Sequence, residues 1–198
     1  MRIIGGTFKG RGLPTLESAG CRPAMAVVRE ALFNMLAARG AGLSGARVLD
    51  VFAGTGSLGF EALSRGAGFV HFVEANKSLA RRIAENARAL GLGPAMFSAA
   101  PGNALELLAR PPLRPFDVVF VDPPYGRNLL QPVLTLITNR HWLAPDALLA
   151  AEVEKPLAVT GWPACLELSA DRLFGQTRIL LWNNRQDAPP SIPEPSIP

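Results

Sequence analysis

The glycine-rich stretch at residues 50–59 constrains the fold of this chain more than any other feature. It reads Asp-Val-Phe-Ala-Gly-Thr-Gly-Ser-Leu-Gly and continues a short apolar run at residues 47–51. Glycine admits left-handed backbone and lets a ligand approach the main chain closely. The G-x-G-x-x-G spacing after a strand is typical of a loop that turns around a cofactor and opens a helix. The sequence therefore predicts a strand, a cofactor loop and a helix in that order.

A second stretch, residues 122–125, ends another apolar run at residues 116–121. It reads Asp-Pro-Pro-Tyr and so combines a carboxylate, a rigid turn and an aromatic ring. In parallel α/β sheets, ligands bind at the carboxyl ends of the strands. We therefore expect both stretches at one edge of one sheet, the first as a cofactor loop and the second as a catalytic loop.

Apolar runs and helical periodicity along the whole chain predict an α/β fold, in which helices cover both faces of a mostly parallel sheet. The predicted strands are residues 47–51, 69–74, 95–99, 116–121 and 147–153, with a closing antiparallel pair at 165–168 and 177–182. The predicted helices begin at Pro23 and at residues 60, 77, 104 and 129. The core-facing stripe of the first helix is predicted to be Val27, Val28, Ala31, Leu32, Met35 and Leu36.

Composition restricts the class of protein. With 198 residues, of which 48% are apolar and 18% charged, the chain suits one globular domain, predicted at 1–185. Residues 1–20 are expected to form a basic hairpin extension, and the proline-rich tail, 186–198, is expected to be disordered. The lack of a secretory apolar core or a membrane-length apolar run, together with two distant cysteines, predicts a cytoplasmic protein without disulfide or metal site. We expect a monomer.

The positive charge is concentrated at the start of the chain. The net charge is +4, and residues 1–30 carry five cations against Glu17 and Glu30, a balance of +3. A local basic excess is the electrostatic pattern of a protein that binds a phosphate backbone. A solvated, mildly basic arm accounts for this composition equally well. If the segment binds RNA, the predicted contact residues are Arg2, Lys9, Arg11, Arg22 and Arg29.

The glycine spacing also suits a dinucleotide fold, in which Glu74, 20 residues after Gly54, would bind a ribose. Asp50 at the strand end favours a cationic ligand over a diphosphate. S-adenosylmethionine carries an ammonium and a sulfonium and has no phosphate, so we predict it as the cofactor. The predicted cofactor-binding residues are Asp50, Phe52, Ala53, Gly54, Thr55, Gly56, Glu74, Asn103 and Ala104.

The catalytic loop suits methylation of a base amine, whose lone pair is delocalised into the ring. The Asp122 carboxylate and the Pro123 carbonyl can accept the two N–H bonds and aim the lone pair at the methyl group. Pro124 stiffens the turn, and Tyr125 can stack on the base, a contact worth roughly 1–3 kcal/mol. Because such an amine is out of reach inside a duplex, the target base must be single-stranded or flipped out. Asp122, Pro123, Pro124 and Tyr125 are the predicted catalytic residues.

These motifs resemble class I S-adenosylmethionine-dependent amino-methyltransferases. Residues 2–6, 9–11, 22–23, 28–34 and 58–67 narrow the resemblance to the bacterial 16S ribosomal RNA guanine-N2 methyltransferases of the RsmD type. The resemblance implies a Rossmann-like seven-stranded sheet, S-adenosylmethionine as donor, and a guanine of 16S ribosomal RNA, within an assembled particle, as acceptor. This chain departs from the family pattern at Ala24, Ala26 and Val27, where polar residues are usual.

Three other functions are compatible with parts of the pattern. An adenine N6 methyltransferase of DNA or RNA would use the same loop, because both targets are exocyclic amines. A nicotinamide-dependent oxidoreductase could use the same glycines, although the Asp-Pro-Pro-Tyr loop argues against it. A non-catalytic RNA-binding assembly factor with a vestigial cofactor site would fit the altered residues 22–30.

Overall fold

A computed structural model describes residues 1–15, 23–40, 42–155 and 161–185, with the backbone alone at 23–25. The predictions for residues 16–20, for Arg22 and for the tail at 186–198 lie outside the described residues. Among the residues described, no helix is both long enough and apolar enough to cross a membrane.

A seven-stranded sheet forms the centre of the molecule. In chain order its strands are β1 Arg47–Val51, β2 Phe69–Glu74, β3 Phe97–Pro101, β4 Phe116–Val121, β5 Leu143–Glu154, β6 Leu166–Phe174 and β7 Thr177–Asn184. Their spatial order is β3-β2-β1-β4-β5-β7-β6, with β7 antiparallel to both of its neighbours and the other pairs parallel. The predicted Rossmann-like α/β class, with a mostly parallel sheet, is confirmed.

Five helices accompany the sheet in the described residues. They are α1 Pro23–Ala37, α2 Ser57–Ser64, α3 Lys77–Ala89, α4 Ala104–Leu108 and α5 Leu130–Asn139. Side chains alternate along each strand, so the sheet has two apolar faces. Phe33 of α1, Phe60 of α2 and Phe120 of β4 lie in the core on one face, while Trp142 and Trp182 lie in the core on the other.

The register of the parallel strands sets the position of the functional loops. Val51, the last residue of β1, pairs with Val121, the last residue of β4. Val121 pairs in turn with Ala151 of β5. Because β1 lies between β2 and β4 and is parallel to both, the loops that follow these three strands emerge side by side at one edge, which we call the carboxyl edge.

The first helix faces the core differently from the sequence prediction. Val28, Leu32 and Leu36 are buried as predicted, whereas Val27 is 61% exposed. Phe33, which was not in the predicted stripe, is buried instead. The prediction for Val27 was wrong because the stripe that contacts the sheet runs through 28, 32, 33 and 36, on the other side of the helix axis.

The N-terminal segment, residues 1–13, folds back on itself and packs against the domain. The N–H of Ile3 donates to the carbonyl of Arg11, at 3.1 Å, and the N–H of Leu13 donates to that of Met1, at 2.8 Å. The ladder is limited to one isolated bridge, between Arg2 and Gly12, rather than the regular strands of a hairpin. Ile3 and Leu13 are buried in the core, so the segment is an integral part of the domain.

Candidate active site

The cofactor loop after β1 contains three residues with left-handed backbone. The φ angles are +63° at Phe52, +56° at Gly54 and +78° at Gly56. A non-glycine residue in this region is strained, and such strain collects at functional sites. The loop is held from both sides, since Ala53 donates its N–H to Val73 of β2 and Gly56 donates to Ala53.

The two glycines of this loop face different surroundings. A Cβ on Gly56 would lie 2.8 Å from the ring of Phe60 and 3.2 Å from Ile83, so this glycine permits close packing of α2. A Cβ on Gly54 would meet only the carbonyl oxygen of Phe52, at 3.9 Å. The space in front of Gly54 is open, as a ligand that contacts the loop backbone requires.

Glu74 ends β2 and already holds two backbone groups. One carboxylate oxygen accepts the N–H of Gly54 and the other accepts the N–H of Asn76, both at 2.7 Å. The residue is half-buried, and each oxygen retains a further lone pair. Glu74 therefore fixes the cofactor loop and can still accept a ligand hydroxyl.

Asp50 lies beneath the loop rather than on its surface. Its side chain is 1% exposed, and one oxygen accepts the N–H of Gly59 in the first turn of α2, at 2.9 Å. Burial raises the pKa of Asp50 to about 7, which the bond from Gly59 opposes and the charge of Glu74 reinforces. Direct contact between Asp50 and a cofactor stays a prediction; the bond that is present holds α2 against β1.

Asn103 and Ala104 begin α4 beside the same edge. The Asn103 side chain caps the helix by accepting the N–H of Leu105, and Ala104 is buried below it. Gly102 donates its N–H to the carbonyl of Glu74, which ties this loop to β2. The predicted adenine-binding residues thus lie next to Glu74.

Within the cofactor loop, the Thr55 hydroxyl lies 3.8 Å from the sulfur of Met1.

The catalytic loop begins directly beside the cofactor loop. Asp122 donates its backbone N–H to the carbonyl of Val51, at 3.2 Å, and so continues the β1–β4 pairing by one step. Pro123 is buried and Pro124 is exposed. Tyr125 is 50% exposed, and its hydroxyl lies 3.3 Å from that of Thr177 at the start of β7. Its ring is accessible to a base.

Asp122 lies near two other carboxylates, those of Glu152 and Asp50. Burial raises the pKa of Asp122 well above its usual value, and the charges of Glu152 and Asp50 raise it further. Burial also raises the pKa of Glu152, while the nearby guanidinium of Arg29 lowers it. The charges of Glu152 and Asp50 therefore disfavour the ionised form of Asp122. The described residues contain no cluster of three or more His, Cys, Asp or Glu side chains placed to hold a metal ion.

The predicted RNA-binding residues divide into two groups. Arg2, Lys9 and Arg11 are exposed on the N-terminal segment, as a phosphate contact requires. Arg29 is 9% exposed, and it donates to the carbonyl of Arg2 at 2.7 Å and faces Glu61 at 3.8 Å. This corrects the prediction for Arg29, which is an internal cation rather than a surface phosphate contact.

Sequence reasoning assigned no role at the site to two charged residues, Glu152 and Glu61. Glu152 is the one charge between Leu148 and Val153 in an otherwise apolar strand, and that isolation was a usable signal. Glu61 is fully buried and accepts the N–H of Ile4 and the guanidinium of Arg65. Nothing in the local pattern distinguishes Glu61 from an ordinary helix charge, because its partners are distant in the chain.

Comparisons with known proteins agree with these features. The family model described as Conserved hypothetical protein 95 matches residues 1–183. The Haemophilus influenzae protein named Ribosomal RNA small subunit methyltransferase D is 42% identical over 156 residues, which cover 78% of this chain and 79% of that protein. The Escherichia coli K12 protein of the same name is 38% identical over 182 residues, covering 92% and 89%. The solved structure of yhhF from Escherichia coli has a TM-score of 0.82 at 35% identity and covers 94% of this chain and 99% of that one. The resemblance indicated by the motifs is confirmed.

Proposed function

Since this chain belongs to the family described as Conserved hypothetical protein 95, we propose that it is an S-adenosylmethionine-dependent methyltransferase of ribosomal RNA. The acceptor is the exocyclic N2 amine of a guanine in the small-subunit (16S) RNA, presented by an assembled particle. The enzyme acts as a monomer in the cytoplasm. The names of the Haemophilus influenzae and Escherichia coli relatives support ribosomal RNA as the substrate. The choice of guanine rests on the RsmD-type resemblance.

One observation carries the proposal: the catalytic loop lies directly against the cofactor loop. The bond from the Asp122 N–H to the Val51 carbonyl joins the two loops where β1 and β4 end. A methyl donor held over Gly54 and an amine held by Asp122 therefore lie next to each other. Methyl transfer requires this proximity, because the two reacting atoms must come into line.

The residues of the cofactor loop fit S-adenosylmethionine. The open space at Gly54 admits a ligand to the backbone, and Glu74 offers carboxylate oxygens to ribose hydroxyls. Glu74 places a carboxylate beside the loop and Asp50 adds a buried carboxyl group beneath it, whose ionised form a cationic ligand would stabilise, so the loop favours a cation over a diphosphate. When bound, this cofactor supplies a methyl group on a positively charged sulfur.

The chain's own residues hold and orient the acceptor. The Asp122 carboxylate and the Pro123 carbonyl accept the two N–H groups of the amine, so its lone pair points toward the cofactor loop. Tyr125 stacks on the flipped base, with its hydroxyl beside Thr177. Gly126 donates its N–H to Glu154 at the end of β5, which fixes the far side of the loop.

The test is transfer of labelled methyl groups from S-adenosylmethionine to small-subunit particles that lack the methyl group added by enzymes of this family. Digestion of the product RNA to nucleosides, with mass detection, should give N2-methylguanosine. Detection of N6-methyladenosine instead would show that the acceptor is the N6 amine of an adenine. Absence of label with every acceptor, despite binding of S-adenosylmethionine and RNA, would favour the non-catalytic factor.

A further inference from the structure

Arg29 occupies an unusual position for a charged residue of α1. Its guanidinium is buried, and one nitrogen donates to the carbonyl of Arg2 in the N-terminal segment, at 2.7 Å. A second nitrogen lies 3.8 Å from the carboxylate of Glu61 in α2. A buried cation is costly unless it is paired with negative groups. The pairing with Glu61 and the carbonyl meets that requirement on one side of the guanidinium.

Arg29 and Glu152 are on the same side of the sheet, because Ala150, whose side chain points the same way as that of Glu152, belongs to the core that α1 covers. The charge of Arg29 acts on Glu152, near the end of β5. Val121 pairs with Ala151, so the next residues of the two parallel strands, Asp122 and Glu152, lie side by side. Across from Glu152 on β7 is Ile179, which is apolar and fully buried. Arg29 and Asp122 are thus placed to act on Glu152 with opposite charges.

We propose that Arg29 and Glu152 are positioning residues that make Asp122 a base for the acceptor amine. The charge of Arg29 favours the ionised form of Glu152, and the negative charge of Glu152 makes Asp122 retain a proton more strongly. As the N–C bond forms and the S–C bond breaks, with its electron pair passing to sulfur, a proton of the amine moves to an Asp122 oxygen. This inference rests on the proposed function and assigns roles to two residues that do not touch the substrate.

The other charged groups near Asp122 do not replace this pair. Asp50 on β1 also raises the proton affinity of Asp122, but it is engaged by Gly59. Tyr125, on the loop itself, has a pKa above its ordinary value because of burial, and so it stays neutral. Glu154, two residues after Glu152, accepts the N–H of Gly126. Glu152 is therefore the neighbour whose charge Arg29 can control.

The experiment is the pH profile of methyl transfer for wild type, Glu152→Gln, Arg29→Met, Arg29→Lys and the double variant Glu152→Gln/Arg29→Met. Asp122 must be ionised to accept a proton, so activity falls on the acid side. Without a negative Glu152, Asp122 ionises at lower pH, and the acid limb should move down by roughly one pH unit in Glu152→Gln. Arg29→Met should shift the limb in the same direction, because Glu152 then keeps its proton. Arg29→Lys should keep the wild-type limb.

Non-additivity distinguishes this role from a structural one. The double variant should show the limb of Glu152→Gln alone, since Arg29 acts through Glu152. A structural role would lower kcat/KM at every pH and leave the limb where it is, which would overturn the proposal. If Arg29→Met does not fold, Glu152→Gln, which keeps the size of the side chain, decides by itself: an unmoved limb refutes the proposal. Failure of wild type to methylate would instead refute the proposed function.

Discussion

At the scale of single residues, Gly54 and Gly56 share a left-handed backbone but have different neighbours. We therefore expect one of them to affect cofactor binding and the other to affect the stability of the fold. Gly56 lies against Phe60 and Ile83, so it serves the packing of α2 on the sheet. Gly54 borders open space at the carboxyl edge. The same motif therefore contains one glycine against which the fold packs and one that leaves space for the proposed cofactor.

Substitution by alanine should reveal this difference. Gly56→Ala adds overpacking of about 1–3 kcal/mol to left-handed strain of about 1–2 kcal/mol, and should lower the free energy of unfolding by their sum. Gly54→Ala should lower the free energy of unfolding by the strain alone. It should also weaken binding of S-adenosylmethionine, because the new Cβ enters the open space. Denaturant unfolding and calorimetric titration measure the two quantities. Equal losses of stability, or unchanged binding in Gly54→Ala, would contradict this division.

At the scale of elements, the N-terminal segment is held by contacts that do not use its basic side chains. Thr7 donates its N–H to the carbonyl of Ser64, at 2.6 Å, and Phe8 donates to the Ser64 hydroxyl, at 2.8 Å. Ile4 donates to the buried carboxylate of Glu61. Lys9 and Arg11 remain exposed on this anchored segment. The anchored backbone can therefore present these cations to RNA at a fixed position.

Neutralising these two cations should weaken RNA binding without unfolding the segment. For Lys9→Gln/Arg11→Gln, the slope of log affinity against log salt should become shallower by about one unit per lost phosphate contact. Arg88→Gln, which removes an exposed cation from α3, is the matched control and should leave the slope unchanged. Binding measured over a salt series checks this. An equal slope in the double variant and wild type would exclude the segment as a docking surface.

The apolar pattern of the sequence predicted the bounds of a strand correctly where both faces of the strand are buried in the sheet. The predicted bounds of β1, β2 and β4 agree with the structure, because their continuous apolar runs end at the functional loops. The pair β6 and β7 is longer than predicted, since antiparallel pairing extends β6 through polar residues such as Asp171, which forms an ion pair with Arg178 of β7. Local apolar patterns do not record such pairing.

The site was predictable to the same degree. Both loops could be placed at one edge, because a parallel sheet brings strand ends together. The burial of Arg29 could not be predicted, because it depends on Glu61, 32 residues later, and on the carbonyl of Arg2, 27 residues earlier. Long-range charge pairing decides whether a basic residue faces solvent or the interior.

At the scale of the whole molecule, the carboxyl edge collects carboxyl groups, whereas the N-terminal segment presents positive charge. Asp50, Asp122 and Glu152 lie beneath the edge, whereas Arg2, Lys9 and Arg11 are exposed on the segment. A cationic donor suits the first region and a phosphate backbone suits the second. This separation fits an enzyme that brings a small cation and a large polyanion to one site.

The most direct test of the central claim is a methylation map of 16S ribosomal RNA from a strain without this gene, complemented with wild type or with Asp122→Ala. We predict that one N2-methylguanosine is missing, that wild type restores it and that Asp122→Ala does not, although the purified variant still binds S-adenosylmethionine. An unchanged map in the deletion strain, or full restoration by Asp122→Ala, would contradict the account.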